Sequence, residues 1–148
     1  MCNGASTRTS QGGSIAVLRA TGHQRRSDKD AITLLFHNAL ALPGTSVELQ
    51  GWVSSSSSSS SATETARHRH WVVIHRDGDL SSPTQTPTPP LHSFPLHHPG
   101  SETPFQVLAE KLHLCVGASG VIGRRVSVVA GLERGPLTTV AEGVMGWN

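Results

Sequence analysis

The sequence predicts a mostly irregular, low-complexity chain carrying one amphipathic helix and a C-terminal β-α-β fragment, with no complete domain. Three observations predict it. Ser54 to Ser61 is an unbroken run of eight serines and Ser81 to Pro104 holds seven prolines, and neither composition buries enough apolar surface to offset chain entropy. Apolar residues recur at helical spacing between Ser27 and Leu42. Gly117, Gly120 and Gly123 stand three residues apart, between a strand-like and a helix-like stretch. The aromatic content points the same way: three Trp, three Phe and no Tyr in 148 residues leave few large side chains for a core.

Residues 1–26 are rich in Ser, Thr, Gly and Arg and lack acidic residues. That composition is compatible with a mitochondrial or plastid transit peptide, but Gly12 and Gly13 weaken an amphipathic helix, so a polar disordered tail is the favoured reading. Residues 27–53 follow as the helix and a strand. Ser27 and Asp30 make a start resembling a capping box, and Asp28 suits the positive helix end. Ile32, Leu35, Phe36, Ala39 and Leu42 form one stripe, which Pro43-Gly44 ends. Thr45 to Val53 alternates as a strand does.

Residues 54–104 form the Ser-rich and Pro-rich low-complexity region, with a short strand at 71–75 and a turn signal at Asp77-Gly78. His68, His70, His75, Asp77 and Asp79 are ligand types for Zn²⁺ or Cu²⁺. They border a flexible run that cannot hold them at fixed spacing, so no metal site is assigned. Pro87 to Pro90 fits a bare PxxP.

Residues 105–148 carry the chemistry. Leu112, Leu114 and Val116 alternate as a buried strand. The glycine triplet then suits a tight turn, a close phosphate approach and close packing of the following helix. Ile122, Val126, Val129 and Ala130 share one helical face, and Gly135-Pro136 stops it. Leu137 to Ala141 makes a second strand, and Glu142 lies where an acidic group meets a ribose hydroxyl. The triplet, the basic pair Arg124-Arg125 and the closing Leu132-Glu133-Arg134-Gly135 resemble the first β-α-β unit of the short-chain dehydrogenase/reductase superfamily, in its extended, epimerase/dehydratase-like branch. The resemblance covers about a fifth of the chain. It implies a truncated Rossmann-like fragment binding NAD(P), with Gly117, Ser119, Gly120, Val121, Ile122 and Gly123 along the pyrophosphate and Glu142 at the ribose. The family's Tyr-x-x-x-Lys pair is absent because the chain has no Tyr, and the later strands of the sheet are not expected before Asn148, so no enzymatic activity follows.

A net charge of +2 gives no footprint for nucleic acid. No apolar run of membrane-spanning length is present, so no membrane partner is expected. Cys2 and Cys115 are far apart in sequence, which makes a reducing, intracellular compartment, the cytoplasm, the default. Three functional readings stand: a non-catalytic NAD(P)-binding-like fragment, a largely disordered protein that meets a protein partner through helix 27–42 or the Pro-rich segment, and a reading frame without a defined biochemical function.

Overall fold

A computed structural model describes residues 12–21, 31–51, 69–81, 89–97, 105–131 and 135–148. The described residues form eight strands and no helix: β1 Ser14–Ala20, β2 Ile32–His37, β3 Ser46–Gln50, β4 Arg69–Ile74, β5 His92–Leu96, β6 Phe105–Val107, β7 Arg125–Gly131 and β8 Thr138–Trp147. All pairings are antiparallel, in the order β5-β4-β7-β8-β1-β2-β3-β6.

Alternation along each strand builds the core. Ala16 and Leu18 of β1 lie on the same face as Leu34 and Phe36 of β2, Val47 of β3, and Ala141 and Met145 of β8. Val72 and Ile74 of β4 pair with Val128 and Val126 of β7 on that face, and Phe94 and Leu96 of β5 complete it. The sheet curls around these side chains. Phe36 of β2 and Phe94 of β5 lie edge to face with ring centroids 6.4 Å apart, although β4, β7, β8 and β1 separate their strands in the sheet. A flat sheet would hold them several strand spacings, each near 4.8 Å, from one another.

The curl brings the two edge strands together. Gln106 of β6 stands opposite the buried Val47 and therefore faces inward. Its Nε2 donates to Pro95 O at 3.0 Å, and its Oε1 accepts from His97 N–H at 2.9 Å. One side-chain amide thus satisfies two backbone groups on the free edge of β5. With that bridge, β4, β5, β6 and β7 follow the order of a Greek key, β7 returning to lie beside β4.

These observations correct the expected fold class. The amphipathic helix expected over 27–42 is not formed in its described part, which is strand β2 followed by a turn. The run Ile32-Thr33-Leu34-Leu35-Phe36 reads at either period, and the buried residues are Leu34 and Phe36, two apart. The C-terminal β-α-β (Rossmann-like) fragment is replaced by an antiparallel pair, β7 and β8. Arg125 to Gly131 is dominated by β-branched valines that pack on a pleated surface and lose side-chain freedom in a helix. The resemblance to the short-chain dehydrogenase/reductase superfamily therefore does not stand, and the NAD(P) site loses the β-α-β unit that implied it: among the described residues there is no helix to present its N-terminus to a phosphate. The expectation of no complete domain also fails, because among the described residues strands from both halves enclose one core. β1, a central strand, comes from the stretch read as a polar tail. The serine run and most of the Pro-rich segment lie outside the described residues.

Candidate functional site

The glycine triplet belongs to a long loop, 112–124, that leads into β7. Its base is a closed ring of three hydrogen bonds. Asn38 Nδ2 donates to Leu112 O at 2.8 Å, Leu112 N–H donates to Thr45 Oγ1 at 2.8 Å, and Thr45 Oγ1 donates to Asn38 Oδ1 at 2.6 Å. Thr45 is buried, so the ring is shielded from competing water. Above it the two arms of the loop are tied by Val121 N–H to His113 O at 3.0 Å and Ile122 N–H to Cys115 O at 3.1 Å.

Arg124 organises the rest. Its Nε donates to Gly120 O at 3.1 Å, and Nη2 donates to Gly117 O at 2.8 Å and Ala118 O at 3.1 Å. Its Nη1 reaches Arg76 O in the neighbouring loop. The rigid guanidinium fork matches several carbonyls at once. His113 Nδ1 and Ser119 Oγ share a hydrogen bond of 2.9 Å across the loop. Gly120 is required where the arms cross, since a Cβ there would lie 2.0 Å from Cys115 O.

This geometry is the inverse of a phosphate cradle. A cradle directs several backbone N–H groups at the anion. Here Gly120 N–H is taken by Gly117 O, Val121 N–H by His113 O, Ile122 N–H by Cys115 O and Gly123 N–H by Met145 O. The carbonyls of Gly117, Ala118 and Gly120 converge instead on a cation. Of the residues assigned to a cofactor, Gly117 and Ser119 are exposed, Gly120 and Val121 are buried in the crossing, and Ile122 and Gly123 join it to β7. Glu142 is not in the loop: it lies in β8, with Oε2 2.6 Å from Arg125 Nη2.

The outer face of β4, β7 and β8 carries a second polar cluster. His75 Nε2 shares a hydrogen bond of 2.9 Å with Ser127 Oγ, and Glu142 stands opposite Ser127 in the ladder. Burial and the neighbouring Arg125 guanidinium hold the His75 imidazole below its ordinary pKa, against the opposing pull of Asp77 and Glu142. His, Ser and Glu are residue types of acyl transfer, but a nucleophile must meet its substrate. Ser127 is only 1% exposed, so the cluster serves the sheet. Among the described residues no three His, Cys, Asp or Glu side chains gather as metal ligands, and His68 lies outside them.

The exposed part of the loop runs from Cys115 to Ser119, and Val116 is 66% exposed at its tip. Asn38, Thr45 and the role of Arg124 were not visible in the sequence. The partners of Leu112 are 67 and 74 residues away along the chain, and no local pattern marks them. Comparison with protein-family models, curated proteins and solved structures finds no match to this chain. The reading of the site rests on its geometry.

Proposed function

We propose that this chain is a non-catalytic interaction module that presents the 115–119 loop to a protein partner. The observation that carries the reading is the Arg124 guanidinium bonded to the carbonyls of Gly117, Ala118 and Gly120. A loop already held in one conformation loses little entropy on association. Binding residues fall disproportionately on loops positioned by a rigid scaffold. The apolar Val116, flanked by the small Gly117 and Ala118, gives a partner surface a side chain to desolvate and backbone it can approach closely. The Pro-rich segment at 81–104, with its PxxP at Pro87 to Pro90, is a second contact on sequence grounds.

The test is selection of a displayed peptide library on the immobilised full chain. Binders are expected, and Val116→Asp and Arg124→Gln should each weaken them while far-UV circular dichroism stays unchanged. Binders indifferent to both substitutions, or no binders at all, overturn the loop as the contact surface.

A further inference from the structure

The geometry points to a single seam at which this sheet opens, between β5 and β6, with the Gln106 carboxamide as its latch. Four observations converge there. Every other neighbouring pair of strands is joined by a backbone ladder, whereas β5 and β6 themselves are joined by the pair of Gln106 bonds to Pro95 O and His97 N–H, with His92 Nδ1 of β5 also 3.6 Å from Glu110 Oε2 in the segment after β6. Pro95 has no N–H, so this edge of β5 cannot carry a full ladder. β6 has three residues, the fewest of the eight strands. The apolar core is also least sealed at this place: Phe94, Leu96 and Leu108 are 9%, 8% and 9% exposed, against 0–2% for its other members.

β5 and β6 run antiparallel to one another, because seven antiparallel pairings separate them around the sheet. They are therefore oriented to zip directly, and the side-chain amide stands where a peptide unit of a continuous ladder would. Release of Gln106 frees the edge of β5 and uncovers Phe94, Leu96 and Leu108, while the β5–β4 and β6–β3 ladders remain intact. Opening of this kind is subglobal and lies below complete unfolding in free energy.

Amide hydrogen exchange of the full chain tests the latch. In Gln106→Ala both carboxamide hydrogen bonds are lost, and the His97 amide should exchange faster by at least about tenfold, the factor for one bond of ordinary strength. Amides of the β7–β8 ladder should keep their wild-type rates. Gln106→Glu supplies a sharper reading. At neutral pH its carboxylate accepts from His97 N–H but faces Pro95 O without a proton to share, so protection falls. Below the ordinary glutamate pKa of about 4.3 the protonated carboxyl both donates and accepts as the amide does, so protection relative to wild type at the same pH returns. His92 and Glu110, which face each other 3.6 Å apart at this seam, are present in both proteins and cancel in that ratio. Unchanged His97 protection in Gln106→Ala, equal acceleration throughout β7–β8, or no return of protection in Gln106→Glu on acidification overturns the latch. Should the variants not fold, wild type alone decides. A His97 amide that opens independently of low denaturant supports the seam, and one that exchanges only through global unfolding refutes it.

Discussion

Glu142 grips Arg125 diagonally across the β7–β8 ladder, Oε2 lying 2.6 Å from Nη2, although the residue directly opposite Glu142 is Ser127. The diagonal places the carboxylate against a guanidinium that is almost wholly buried, and Arg125 N–H in turn holds the 76–81 loop through Asp77 O at 2.7 Å. Removing the carboxylate takes away the close ion pair of a buried guanidinium, which keeps its Nη1 contact with Asp79 O. Glu142→Gln should therefore destabilise the fold by about 2–3 kcal/mol, less than a fully buried pair because Glu142 keeps some water contact. The urea midpoint should fall at constant slope. A midpoint within error of wild type would show that the pair adds nothing net.

The neighbouring His75 predicts a pH dependence with a definite sign. Its folded pKa lies below the ordinary 6.5, with burial the larger cause and Arg125 the next. In the window between the two values the unfolded chain binds a proton that the folded chain does not. The contribution of His75 is thus complete above pH 6.5 and is lost as pH falls from 6.5 through the folded value, below which it levels. His75→Gln should flatten this part of the stability profile while keeping a donor and an acceptor for Ser127. An unchanged slope in the variant would assign the pH dependence to another group.

Gly120→Ala should destabilise the loop, for a reason unconnected with nucleotides. The added Cβ would sit 2.0 Å from Cys115 O, the acceptor of the Ile122 N–H bond. Forced overpacking of this kind costs about 1–3 kcal/mol. Limited proteolysis should cut within 115–122 faster, and added NAD should not slow the cutting. Protection of the variant by NAD would restore the nucleotide reading of the glycines.

Some turns were readable from local chemistry, but Leu112 to Val116, expected as a buried strand, belongs to the 112–124 loop, with Val116 66% exposed. Pro43-Gly44 ends an apolar run because Pro lacks an N–H donor, and Gly44 passes so close to Leu108 O that a Cβ would lie 1.7 Å from it. Gly117 and Gly123 take φ 121° and 80°, a backbone that favours glycine, but in the loop leading into β7 and not in the strand-to-helix phosphate turn expected of the triplet. Which apolar runs become strands was not readable. Ile32 to Phe36 and Val126 to Ala130 fit period 2 and period 3.6 equally well over so short a span, and only a neighbouring strand breaks the tie. For β2 that neighbour is β1, and for β7 it is β4, whose Trp71 sits opposite Val129 although 58 residues (129 − 71) separate them in sequence. The chemistry of the loop was also decided by the fold. Arg124 follows the glycines in sequence as a phosphate-attracting side chain would, but the fold turns its guanidinium onto their carbonyls. The amino-acid sequence by itself determined where the chain can bend and which residues are apolar. The curled sheet decided which apolar residues face inward, because that depends on partners such as β4 and β7 that chain order keeps far apart, while the crossing of the loop arms turned Arg124 onto carbonyls only four to seven residues away.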